Sequence, residues 1–423
     1  MLATNHVRTT ILPNGLAVLT ERMEHVRSMS MGIWLKTGAR HDAPEVNGLS
    51  HFVEHMVFKG TTTRSARRIS LDIDELGGFL NAFTAQDMVA FHATVLDTHV
   101  AGALDLLADL ILNPDFLPEE IDRERAVILE EVNATQDDPE YVARNAFMRT
   151  LWKDDPISLP IGGTPETLGS FTRDTLVRYA KDHFTGWNMV FVAAGNLQHD
   201  DLVEKVERCF GRAPAGTPLL RAAFPRSFSG STLVDRPTEQ VQMVLGFPAP
   251  SITDARYYIA HLAAMLLGGG PSSLLFQFIR EERGLAYAVA ADFMPYQNTG
   301  YFSVYTGASR TRIAPVLDLV LQQLHSMKTE PISPGDLRRV KDLLISNQVI
   351  GMETSASRAN ELGSQLLALG HPVSLEERQA RIEGVTKDQV MLLANALFDP
   401  TRLVVALVGD LQGLELAPER LTC

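Results

Sequence analysis

The densest chemistry in the chain lies in five residues, His51-Phe52-Val53-Glu54-His55. Positions i and i+4 share one face of a helix, so His51 and His55 can aim imidazole nitrogens at one metal ion. Glu54 precedes His55 by one residue and is turned by about 100° around the helix axis. That turn sets its carboxylate beside the metal, within reach of a bound water. Zinc suits imidazole and carboxylate ligands, and a catalytic zinc keeps one position open for water. The ion lowers that water's pKa towards about 7, and a carboxylate can then take the proton as general base. Asn47 or Ser50 can start the helix, and Gly60 can end it.

Such a site needs a third protein ligand. Pro118 to Val132 reads PEEIDRERAVILEEV, a helix dense in carboxylates. Glu124 and Glu131 are seven residues apart and share a face with Ile121 and Ile128, so that face should be partly buried. Buried carboxylates need a partner, and a metal is one. Glu130 lies about 100° away, near Arg123 and Val127. Geometry favours Glu131 over Glu130 only modestly.

The elements that hold these residues read as two copies of one design. Asn188–Leu197 (NMVFVAAGNL) and Arg402–Leu411 (RLVVALVGDL) both look like a buried strand ending in a Gly turn. Phe171-Thr172-Arg173-Asp174 matches Val385-Thr386-Lys387-Asp388 at the same offset, and Leu104–Leu107 resembles Leu317–Val320 at nearly the same one. Phe116-Leu117-Pro118 similarly resembles Ile332-Ser333-Pro334. A run of matches at nearly constant spacing points to duplication. The boundary is expected near 212–235, a stretch rich in Gly, Pro, Arg and Ser. This predicts an N-terminal domain over 1–215 with the metal site and a C-terminal domain over 230–423 without one. Within the first half, Thr9–Leu12 and Ala17–Thr20 flank a Pro-Asn-Gly hairpin signal. Ser28–Lys36 alternates as a strand, Val100–Leu112 has helical spacing, and Pro118 suits the first turn of a helix. Each half is therefore expected to be α+β, with helices packed on a sheet.

Composition narrows the rest. The 423 residues are 45% hydrophobic and 21% charged, close to the globular average. The net charge of −13 argues against nucleic-acid binding, which needs clustered cations. The acidic excess is densest over 101–150, and such a surface would attract cationic ligands. Cys209 and Cys423 are too few for a disulfide framework or a Cys-rich zinc site. The N-terminus, Met1 to Gly15, shows no apolar run of signal-peptide length, and no stretch reaches membrane-spanning length. The expectation is a soluble, cytoplasmic protein. Gly268-Gly269-Gly270 lacks the Gly-Lys-Ser/Thr ending of a phosphate loop.

HFVEHMVFKGT, GGFLNAFT at Gly77–Thr84 and ERAVILEEV at Glu124–Val132 together resemble the pitrilysin-type (M16) zinc peptidases. The likeness is greatest to the subfamily of the mitochondrial processing peptidase β-subunit and its bacterial homologues, and runs from Thr9 to Leu411. His-x-x-Glu-His is the inverted zinc-peptidase order. The resemblance implies two related domains, each with a mixed, mainly antiparallel sheet. It implies one Zn2+ per chain on His51, His55 and Glu131, with Glu54 as general base. Glu124 matches a second acidic position, with an accessory or outer role. Asn81 and Ala82 match an edge strand that pairs with substrate main chain. Arg280 and Tyr287, in LGGGPSSLLFQFIREERGLAYAV, match an Arg-x6-Tyr pair: Arg280 would hold substrate carbonyls and Tyr287 would donate to the scissile carbonyl. In the second copy Asn347 stands where Glu131 would align. Implied partners are basic or unfolded peptides and a second chain, as a homodimer or with a degenerate homologue, enclosing the substrate in a chamber. The alternative is a non-catalytic or partner-dependent structural subunit of the same family.

Overall fold

A computed structural model describes residues 7–219 and 222–414. The start of the N-terminal segment, two linker positions and Cys423 lie outside the described residues. The chain folds into two compact units. The first comprises residues up to 133, then 159–222 and 350–373. The second comprises 134–158, 223–349 and 374 onwards. A single cut in the linker therefore does not reproduce the units: each takes in a segment from the other half of the sequence.

The first unit is built on six strands: β1 (Val7–Ile11), β2 (Ala17–Arg22), β3 (Ser28–Leu35), β4 (Phe79–Thr84), β5 (Val89–Leu96) and β6 (Met189–Gly195). Their order is β1-β2-β6-β3-β5-β4, and β4 forms an edge. Only β2 and β6 run parallel; the other neighbours are antiparallel. The second unit has β7 (Gly230–Asp235), β8 (Val241–Pro248), β9 (Ala288–Pro295), β10 (Gly300–Ala308) and β11 (Val404–Gly409). Its order, β7-β11-β8-β10-β9, again has one parallel pair, β7 with β11. Both units are α+β with mixed, mainly antiparallel sheets, as expected.

The repeated segments occupy equivalent places. β6 and β11 are interior strands of their sheets. Thr172 and Thr386 each cap the following helix with a reciprocal capping box. Pro118 and Pro334 each open a long helix, Pro118–Gln136 and Pro334–Gly351. The hairpin of β1 and β2, strand β3 and the helix Val100–Leu112 also form as read.

Alternation along the strands gives each sheet two apolar faces. In the first unit Met31, Ile33, Leu35 and Phe91 pack under helices α1 (Leu49–Met56), α2 (Ala66–Leu76), α3 (Val100–Leu112) and α4 (Pro118–Gln136). On the other face, Trp34, Ala90, Val190 and Val192 meet Ala359 and Leu362 of the helix Ser355–Leu369. Arg358 of that helix binds Glu21 through two 2.8 Å hydrogen bonds. In the second unit, Val244, Val404 and Ala406 meet Phe147, Leu151 and Trp152 of α5 (Pro139–Trp152). Thus in each half of the sequence the helix after the long one covers a sheet formed by the other half. Among the described residues, no helix is long and apolar enough to cross a membrane.

Candidate metal centre

α1 is short, and its position is fixed from outside. It begins at Leu49 after Gly48, not at Asn47 or Ser50. Gly48 has φ +91°, and a Cβ there would lie 2.6 Å from the Gly163 Cα. Only glycine suits both conditions. The N-terminal amides are served by Asp42, eight residues upstream. Its carboxylate accepts from the Ser50 N–H at 3.0 Å and the Ser50 hydroxyl at 2.6 Å. The Tyr179 hydroxyl donates to Ser50 Oγ at 3.1 Å. Burial pushes Asp42 up to about 6, with these hydrogen bonds pulling the other way. Leu49, Phe52, Val53 and Met56 bury the apolar side of α1 in the core. The helix ends at Met56, before Gly60.

One turn apart, His51 and His55 face α4. His51 Nε2 lies 3.7 Å from Glu131 Oε1, and His55 Nε2 lies 3.6 Å from Glu131 Oε2. One ligand atom from each of these residues falls within 4.8 Å of the others. The 3.6 and 3.7 Å separations are long for hydrogen bonds and close to the spacing of two ligand atoms that each lie about 2.0–2.2 Å from one ion. Among the described residues this grouping is His51, His55 and Glu131; Glu130 is outside it. Burial, with the neighbouring charge of His55, lowers His51 to about 4 and keeps it neutral as a ligand must be. The donor set therefore fits zinc.

The expectation for the α4 face holds unevenly. Ile121, Ile128 and Glu124 are buried, whereas the Glu131 side chain is 49% exposed. It leaves the core to meet the imidazoles. Glu124 supports His55: Nδ1 and Glu124 Oε1 are 2.8 Å apart. Lys59 Nζ lies 2.6 Å from the other Glu124 oxygen. Burial opposes a charge on Glu124, but His55 and Lys59 outweigh it and hold the carboxyl low. Burial also opposes a proton on His55, but Glu124, Glu54 and Glu131 together raise it. An outer carboxylate of this kind orients a ligand imidazole and strengthens its basicity.

Glu54 is buried beside these groups. Burial pushes its carboxyl up, against the pull of its hydrogen bond from Thr84. That bond, Thr84 Oγ1 to Glu54 Oε2, is 2.6 Å long. Asn81 and Ala82 lie on the edge strand β4, and the Ala82 N–H donates to Asn81 Oδ1 at 2.9 Å. At the strand's entry, a Cβ on Gly78 would sit 2.1 Å from the Thr94 carbonyl, so only glycine lets β4 approach β5 there. Arg280 and Tyr287 belong to the second unit. The Arg280 guanidinium carbon lies 4.5 Å from the Tyr287 ring centre, and Tyr287 is largely exposed.

Sequence reading missed Asp42, Tyr179, Lys59 and Thr84. The last two carried a signal. Lys59 lies one turn beyond His55, on the same side of the chain. Thr84 lies two residues beyond Ala82, on the same strand face.

An α+β duplication carries, among the described residues, a two-histidine, one-glutamate grouping, and known proteins resemble the chain over most of its length. The insulinase (peptidase family M16) model matches residues 17–165, and the peptidase M16 inactive domain model matches 170–344. A zinc protease of Streptomyces coelicolor is 35% identical over 97% of this chain and 92% of its own. The zinc protease YmxG of Bacillus subtilis is 33% identical, covering 91% of this chain and 94% of its own. A solved M16 inactive domain from Pseudomonas fluorescens has a TM-score of 0.89 at 21% identity, covering 95% of this chain and 97% of its own. A solved protease from Helicobacter pylori gives 0.87 at 18%, covering 95% and 99%. The chain belongs to peptidase family M16.

Proposed function

We propose that this protein is a zinc-dependent endopeptidase that hydrolyses peptides or unfolded, presequence-like segments. The observation that carries the reading is the convergence of His51, His55 and Glu131 within 4.8 Å, with the buried Glu54 carboxylate alongside. The zinc-protease names of the relatives support it.

His51, His55 and Glu131 would hold one zinc ion per chain. When bound, the ion supplies Lewis acidity towards a carbonyl and acidifies water. Glu54 takes the proton from the attacking water at its carboxylate and later passes it to the leaving amine. Burial favours that protonated state, so Glu54 can hold the proton between the two steps. Glu124 keeps the His55 ring fixed through Nδ1. The free side of β4, with Asn81 and Ala82, takes up substrate main chain as an added strand. Arg280 would hold substrate carbonyls, and Tyr287 would donate to the developing oxyanion.

Two such chains would form the substrate chamber, as a homodimer or with a degenerate homologue, and the acidic first half favours basic peptides. Mixing inactive Glu54→Gln and Tyr287→Phe chains should restore cleavage if the site is shared between copies. No recovery after verified exchange of subunits would reject sharing.

The hydrolytic reading is tested with a quenched basic peptide of about 15–25 residues, a length suited to strand addition. Metal-loaded wild type should cleave it. Glu54→Gln should lose about 10²–10⁴-fold in kcat while binding the same amount of metal. No cleavage by either protein, with metal bound in both, would overturn the reading.

A further inference from the structure

We propose that Thr84 is the positioning residue of the general base: its hydroxyl fixes the rotamer of the Glu54 carboxylate. The inference rests on the hydrolytic reading of this site and goes one residue beyond it.

Glu54 has a problem that its two neighbours lack. His51 and His55 would be fixed at their ring nitrogens by a metal, and His55 is also held by Glu124. Glu54 carries three side-chain torsions, and in this role it must present one oxygen to water while binding no ion. A base loses rate steeply when its reacting atom strays by about 1 Å. Thr84 meets this need. Its Oγ1 donates to Glu54 Oε2 at 2.6 Å, the short distance of a charge-assisted hydrogen bond. Oε2 is thereby tethered, and Oε1 is left to accept the proton from water.

The strand explains why this hydroxyl is in place. Thr84 is the last residue of β4 and pairs with Val89 of β5. Leu80, Ala82 and Thr84 share one strand face by two-residue alternation. Leu80 and Ala82 pack into the same core as Phe52 and Val53 of α1, so that face is turned towards the helix bearing Glu54. A β-branched side chain has few rotamers, and the strand pairing restricts it further. The donor is therefore anchored in the sheet, independently of α1. A bland reading makes the bond a mere stitch between β4 and α1. That reading predicts loss of fold or metal when the bond is cut, not a selective loss of turnover.

The test compares Thr84→Val, Thr84→Ser and Glu54→Gln in the full-length, zinc-loaded protein with the quenched peptide. Valine keeps the shape and the strand preference but removes the donor. Thr84→Val should lower kcat about 10–100-fold with KM within about twofold, unchanged zinc content and an unchanged thermal midpoint. Thr84→Ser, which keeps Oγ, should recover most of the lost kcat. In the Glu54→Gln background, Thr84→Val should cost little more, because the two residues act as one unit. Wild-type kcat in Thr84→Val would overturn the proposal. So would a rise in KM alone, a loss that tracks zinc or stability, or full additivity with Glu54→Gln. A wild type that cleaves and a Glu54→Gln that does not would leave the hydrolytic reading standing in each of those cases.

Discussion

The two units place comparable helices in comparable positions, yet among the described residues only the first groups side chains that could hold a metal. In the first unit, the segment between β3 and β4 supplies α1, with His51, Glu54 and His55. In the second, the segment between β8 and β9 supplies Tyr257–Gly268, an almost wholly apolar helix. That helix also contains a histidine, His261. Burial lowers both His51 and His261 to about 4. The neutral His51 faces His55 and a carboxylate. The neutral His261 packs against the rings of Tyr257 at 4.7 Å and Phe293 at 4.9 Å. On the long helices, Glu131 faces the imidazoles, whereas Asn347 is an exposed amide. The same scaffold thus serves two ends. A low histidine pKa marks burial, and only the neighbouring ligands turn burial into a metal site.

The sharpest way to break the contrast is to exchange its ligands. Glu131→Gln should abolish zinc retention and reduce cleavage to background. Asn347→Ala, at the matching position, should change neither by more than about twofold, as for an exposed site. Metal analysis of both purified proteins checks this, and zinc loss in Asn347→Ala would contradict the assignment.

A smaller effect should follow from the carboxylate behind His55. Glu124→Gln keeps the volume but removes the charge that holds the imidazole. Zinc affinity should fall about 10–100-fold with the fold intact. Competition with a chelator measures it, and an unchanged affinity would reduce Glu124 to a partner of Lys59 alone.

The smallest effect concerns His261. Its folded pKa of about 4 lies below the ordinary value of 6.5, so the unfolded chain binds the proton first. Stability from this group is complete above about 6.5 and is lost as pH falls towards about 4. The loss is at most about 3 kcal/mol, less where water reaches the ring. His261→Phe should remove that part of the pH slope. Denaturant unfolding at several pH values tests this, and an equal slope in both proteins would show that His261 is not held neutral.

Local sequence carried much of this architecture. The duplicated strand–Gly segments became β6 and β11, because a run of apolar residues can be satisfied on both faces only inside a sheet. Thr172, Thr386, Pro118 and Pro334 marked helix starts, because capping chemistry is local. The exchanged helices were not legible. Phe147, Leu151 and Trp152 show that α5 must be buried, but not against which sheet. The start of α1 was misread for a similar reason: its cap is Asp42, across a loop, and Gly48 takes the N-cap position. Within the site, His51, Glu54 and His55 were readable from helical spacing alone. Glu131 needed the family pattern to be preferred over Glu130, since the spacing did not show which carboxylate leaves the core. The strand alternation from Ala82 marked the face of Thr84, but not the Glu54 side chain of α1 that it meets there.

The proposed function turns on one zinc ion, held by His51, His55 and Glu131 of the first unit. A zinc titration of the metal-free wild type, followed by peptide cleavage, puts that to the test in a single series. Activity should rise in proportion to added zinc and saturate at one ion per chain, while Glu131→Gln should stay inactive throughout. Cleavage that persists without metal, or that saturates only at two ions per chain, would contradict it.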